Sequence, residues 1–169
     1  MALIIKAVAW NHPDASKLRA AQQEEIDPTG TDECGVIPTA ADIAVFLVVY
    51  LGSDAVACAG LRHLVDATES TCRDVAEIKR MFVVPDVRGQ SYQGQYVGEY
   101  LLQALSQEAQ DRGWSVLKLE TGKTMTRARR FYERHGFHEC GIFGSYDDSG
   151  PSVFYRKSVT YHSEPLATN

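Results

Sequence analysis

One stretch limits the folds open to this chain more than any other: Ala76 to Gly98, AEIKRMFVVPDVRGQSYQGQYVG. Its apolar, β-branched start reads as a buried strand and Pro85-Asp86 as a turn. The part rich in glycine and glutamine reads as a loop, and the end as the start of a helix. A loop of this kind leaves backbone N–H groups unpaired at a helix N-terminus. They are aimed where an anion such as a pyrophosphate would sit.

The other segments are read around it. Leu3 to Trp10 predicts a strand, broken at Asn11-His12-Pro13, with Asp14 as N-cap of a helix over about 15–26. Pro28 to Asp42 has loop composition. Ile43 to Leu51 is a near-continuous apolar run, as expected of a strand covered on both faces. A turn at Gly52-Ser53-Asp54 leads into a partner strand, Ala55 to Val65, and the polar run 66–73 predicts a second hairpin loop. Ala76 to Val84 is then the fourth strand. From Val97 the period becomes helical: Val97, Leu101, Leu102, Leu105 and Ala109 share a face, and Gly113 fits the C′ position. Val116 to Thr121 predicts a strand. A helix capped by Thr124 or Thr126 runs through Ala128, Phe131 and Tyr132 to His135-Gly136. The last strands fall near His138–Phe143 and Val153–Lys157. The order β-α-β-β-β-α-β-α-β-β predicts a mixed α/β sheet with helices on both faces, one domain over residues 1–161 and a frayed tail at 162–169.

Composition narrows the function. A net charge of −5 argues against a nucleic-acid surface. Cys34, Cys58, Cys72 and Cys140 lack C-x-x-C spacing, and no histidine has ligand spacing, so no metal is expected. No window reaches the length of a membrane span, and the N-terminal apolar run is too short for a signal segment. These features predict a cytoplasmic protein with no membrane partner. Gly122-Lys123-Thr124 imitates part of a P-loop, but position 117, where its first glycine belongs, is Leu117.

Six pieces stand in a definite order: EIKRMFVVP, RGQ with VGEYLL, LKLETG, ARRFYERHGF, FGSY and SVFYRK. Together, over about Val45 to Val159, they resemble the GNAT superfamily of N-acetyltransferases. The resemblance implies a splayed sheet of six to seven strands and acetyl-CoA as co-substrate, entering where the fourth and fifth strands part. The acceptor implied is the primary amine of a small molecule, and the protein a monomer or homodimer. Phe82, Val83 and Val84 would pair with the pantetheine arm, as an open strand edge does with amides.

The pyrophosphate loop departs from the family pattern. Read forward from Pro85, Arg88, Gly89 and Gln90 fit it. Read back from the helix, Gln93, Gly94, Gln95, Tyr96, Val97 and Gly98 fit instead, with Tyr96 where the family has glycine. The two readings differ by five residues, so the loop is extended. Met125 replaces a family Asn or Gln. These departures leave open an alternative, an acyl-CoA-binding module of the same fold with weakened or lost catalysis.

In the resemblance Tyr132 is the acid for the leaving thiolate and Glu77 the base, with Ala128 and Phe131 beside the coenzyme. Glu77 would share a strand face with Lys79, Met81 and Val83 if alternation is unbroken. Glu120 fits a structural role at the LETG turn. Arg62 and Arg80 have the chemistry to receive a carboxylate, and Tyr146 could line the acceptor site. Lys123, Arg127, Arg129 and Arg130 are candidates for the CoA phosphates or a solvated helix face.

Overall fold

The computed structural model describes residues 1–27, 36–64, 74–147 and 150–159. The expected hairpin loop at 66–73 and tail at 162–169 lie outside the described residues.

The elements follow the order read from the sequence. Strand β1 (Leu3–Val8) is followed by helix α1 (Pro13–Ile26), then β2 (Ile43–Leu51), β3 (Asp54–Leu64) and β4 (Val75–Val83). A single 3-10 turn, Pro85–Val87, precedes a ribbon of two short strands, β5 (Ser91–Tyr92) and β6 (Gln95–Tyr96). Helix α2 (Val97–Asp111), β7 (Val116–Gly122), α3 (Thr126–Arg134), β8 (His138–Cys140) and β9 (Ser152–Ser158) complete the chain. Seven strands form one sheet in the order β1-β2-β3-β4-β7-β9-β8. Its pairs are antiparallel except β4 with β7.

Two apolar layers sandwich the sheet. Leu101, Leu102 and Leu105 of α2 pack with Val45, Leu47, Val49, Leu117 and Leu119 on one face. Ala15 and Leu18 of α1 pack with Phe46, Val48, Tyr50 and Phe82 on the other. This two-sided cover explains why β2 is buried from Val45 to Tyr50 without alternation.

The caps differ from the sequence reading at α1 and α3. His12, not Asp14, is the N-cap of α1, because Pro13 occupies the first helical turn and His12 Nδ1 accepts from Asp14 N–H at 3.2 Å. The Asp14 carboxylate instead accepts from Tyr50 Oη at 2.8 Å and ties α1 to β2. Met125 stands at the N-cap of α3 without a side-chain bond.

Strand β4 carries a bulge. Cys58 opposes Phe82 and Gly60 opposes Lys79, so Arg80 and Met81 together face one residue of β3. Arg80 takes φ +57°, in the left-handed region. Alternation therefore slips by one: Ala76, Ile78, Met81 and Val83 pack with the α2 layer, whereas Phe82 packs with the α1 layer. The expectation that Glu77 shares a face with Met81 and Val83 fails for this reason.

Candidate active site

The parallel pairing of β4 with β7 is short. It joins Val75, Ala76 and Glu77 to Val116, Leu117 and Lys118 and then stops, so the strands diverge from Ile78 and Leu119 onward. This leaves the β7-facing edge of β4 open and a cleft through the sheet.

Two cavities meet in that cleft. The larger, of about 830 Å³, runs along β4 to the N-terminus of α2 and is lined by Phe82, Val83, Arg88, Gly89, Tyr96, Val97, Gly98, Ala128 and Phe131. The smaller, of about 440 Å³, lies toward the end of α1 and is lined by Lys79, Arg80, Glu120, Ser152 and the short apolar run Val36-Ile37-Pro38. Tyr132, Met81, Met125 and Ala128 border both.

Of the predicted coenzyme residues, Val84, Gln90, Gln93, Gly94 and Gln95 do not line the larger cavity. Four of the five belong to the loop whose length was in question. It folds as the β5–β6 ribbon, with Ser91 opposite Tyr96 and Tyr92 opposite Gln95. Gln93 and Gly94 form its turn with φ of +53° and +81°, the two positive values that a type I′ turn needs. The extra residues thus leave the cleft as a hairpin. They return at Tyr96, the N-cap of α2, which makes no side-chain cap bond. Val97, Gly98 and Glu99, the first residues of α2, line the larger cavity, and the N-cap side chain bonds none of their N–H groups. Gly98 serves close packing: a Cβ there would stand 3.3 Å from the Phe131 ring.

Tyr132 is largely buried. Burial, and secondarily the nearby Glu120 carboxylate, push its phenol well above the usual tyrosine range. It therefore stays protonated at neutral pH. Glu120 accepts from Ser152 Oγ at 2.6 Å and faces the smaller cavity.

Glu77 lines neither cavity. Its side chain is wholly buried, and Oε2 accepts from Arg62 Nη2 at 2.6 Å and Nε at 3.1 Å. Oε1 accepts from Tyr146 Oη and lies 3.4 Å from Lys79 Nζ. Arg62 also donates to the Val36 carbonyl at 3.3 Å, on the rim of the smaller cavity. Tyr146 packs with Phe143 and Phe154, outside both cavities. Arg62, Glu77 and Tyr146 are thus brought together as a bracket behind the wall of the smaller cavity, not in it.

A family profile described as Acetyltransferase (GNAT) domain matches residues 42–139. That span is more than half of the chain. The chain belongs to the GNAT acetyltransferase family.

Among curated relatives, an IAA acetyltransferase of Azospirillum brasilense is 40% identical over 83 residues, 49% of this chain and 51% of that protein. The N-acetyltransferase YsnE of Bacillus subtilis (strain 168), itself uncharacterized, is 38% identical over 65 residues, 37% of this chain and 43% of that protein. The chain spans about half the length of the curated relatives it matches. A solved structure from Klebsiella pneumoniae, named as a candidate acyl-CoA N-acyltransferase, aligns over 94% of this chain and 98% of its own, with a TM-score of 0.71 and 26% identity.

GNAT proteins use an acyl-CoA as co-substrate and act on small-molecule or protein amines. The larger cavity fits that co-substrate in kind. It combines an open strand edge for amides, uncapped helix N–H groups for phosphate, and Arg88 between them. In this structure Arg88 donates to the Val83 carbonyl and to Glu25, each at 2.7 Å.

Sequence reasoning missed the end of α1. Gln22, Glu25 and Ile26 border both cavities, and Gln22 Nε2 donates to the Met81 carbonyl at the bulge at 2.9 Å. The loose apolar stripe of α1 carries no sign of this, because a buried glutamine on a helix reads as solvated.

Proposed function

We propose that this protein transfers an acetyl group from acetyl-CoA to the primary amine of a small molecule by direct attack. The reading rests on one observation above all: Tyr132 borders both cavities where β4 and β7 part. A donor in the larger cavity and an acceptor in the smaller one would meet at its hydroxyl.

An acetyl thioester supplies an already activated acyl group, so the residues of this chain manage protons. An alkyl amine with a pKa near 10.4 is mostly protonated at neutral pH, and its deprotonation costs about 4–5 kcal/mol. Glu120 takes the ammonium proton, directly or through water, and passes it to solvent. The amine nitrogen then bonds to the acyl carbon and the C–S bond breaks. Tyr132 gives its phenolic proton to the departing sulfur. The proton that nitrogen sheds on becoming an amide restores the phenol, so one proton in all goes to water. Glu77 has a supporting part here. It holds Arg62, and through it the Val36 rim.

Incubating the protein with acetyl-CoA and a panel of primary amines, and following free thiol, tests the reading. At least one amine should raise thiol release above the hydrolysis blank. No release with any amine, while acetyl-CoA binds, leaves a binding module in its place.

A further inference from the structure

The two walls of the smaller cavity carry opposite charge. Its β4 wall presents Lys79 and Arg80, and its β7 wall presents Glu120. The bulge makes this possible. In a regular strand successive side chains alternate faces, but here Ile78, Lys79, Arg80 and Met81 all reach the same cavity.

The two cations behind the β4 wall share the Glu77 carboxylate unequally. Arg62 and Lys79 have side chains only 14% and 12% exposed, and both meet the carboxylate of Glu77, while Asp42 also acts on Arg62. The Glu77–Arg62 contact is the tight one, at 2.6 Å, whereas Lys79 Nζ stands 3.4 Å from Glu77. The strong bond of Lys79 is to a neutral partner, the Tyr146 hydroxyl at 2.7 Å. Burial, and then the Glu77 charge, push the Tyr146 phenol far up, so it supplies no second anion. Lys79, which lines the cavity, is therefore the cation of this bracket with the looser carboxylate contact. A poorly compensated charge away from water is costly unless an anion joins it.

We infer that the acceptor is an amino acid or a close relative, its carboxylate received by the Lys79 ammonium on β4 and its amine presented to Glu120 on β7. This rests on the transfer reading above and deepens it by naming the acceptor's second group. Lys79 has a donor to spare for that carboxylate. A zwitterion matches the wall-to-wall polarity, and a simple alkylamine matches only half of it.

The test compares pairs of probes with acetyl-CoA: the common L-amino acids, each beside the amine that lacks its carboxylate, such as L-phenylalanine with 2-phenylethylamine. The ratio of kcat/KM within each turned-over pair is measured for the wild type, Lys79→Gln and Lys79→Arg. Calorimetry gives acetyl-CoA affinity for each protein. The wild type should favour the carboxylate-bearing member at least about tenfold, a charge-assisted hydrogen bond. Lys79→Gln should cut that ratio about tenfold, through KM, with acetyl-CoA affinity within twofold. Lys79→Arg should restore most of it. Should Lys79→Gln fail to fold, Lys79→Met takes its place. A wild type that favours the simple amine, or a preference that survives loss of the Lys79 charge, overturns the assignment and leaves the transferase reading standing. A wild type that binds acetyl-CoA and acetylates no member of any pair sinks the small-amine reaction and this inference with it.

Discussion

At the scale of single residues, two glutamates differ in what surrounds them. Glu120 lines the smaller cavity and accepts from Ser152. Glu120→Gln should lower turnover at pH 7 about 10²-fold. Part of the loss should return as pH rises, because the amine then arrives already deprotonated. A flat ratio of wild type to variant between pH 7 and 10 would remove Glu120 from proton transfer. Glu77 is enclosed by Arg62, Lys79 and Tyr146. Glu77→Gln should cost about 3 kcal/mol of stability, since it strands buried cations. Urea unfolding checks this, and an unchanged midpoint would contradict the bracket. The sequence pointed to Tyr132 as the acid and to Glu77 as the base, and it gave Glu120 a structural role at the LETG turn. It could not show that Glu77 leaves the face of Met81 and Val83, because the bulge at Arg80 and Met81 shifts the strand face by one residue. Such a bulge depends on cross-strand register, which no local pattern records.

At the scale of elements, the uncertain loop is the instructive case. Two alignments five residues apart both had merit, because both ends of the segment 88–98 meet the larger cavity. The residues between them pair with one another as the β5–β6 ribbon. Gln93 was a poor sign of this turn. Asn-Gly is the usual pair, and glutamine tolerates φ of +53° less well. Gln93→Asn should therefore raise stability by roughly 0.5 kcal/mol, seen as a higher melting temperature, with acetyl-CoA affinity unchanged. A weakened affinity would show that the turn itself meets the coenzyme. The long elements were legible from apolar periodicity alone, as in α2 with Val97, Leu101, Leu105 and Ala109. The caps were not, since His12 caps α1 in place of Asp14, and Met125 takes the N-cap position of α3 with no side-chain bond.

At the scale of the whole molecule, the order of strands and helices carries the fold, and the parting of two parallel neighbours carries the site. The same burial that forms the core sets an upper pH limit on stability. Burial, with the Asp14 bond, raises Tyr50 from 10.0 to about 12, and burial raises Cys58 from 9.0 to about 12. Tyr132 and Tyr146 are shifted in the same direction. The unfolded chain therefore loses these protons at lower pH than the folded one. Stability is fully present below about pH 9 and falls as pH climbs toward 12. Chemical denaturation from pH 8 to 11.5 should show that decline, shallower in Tyr50→Phe; a level profile would contradict it. In activity, the raised Tyr132 phenol places no basic limb below pH 10. The measurement closest to the central claim is thiol release from acetyl-CoA by wild type and Tyr132→Phe with the best amine, alongside calorimetry of acetyl-CoA. The account predicts turnover lower by about 10²-fold or more in the variant, with affinity within twofold. Equal turnover in the two proteins would show that transfer does not pass by the hydroxyl at the meeting of the two cavities.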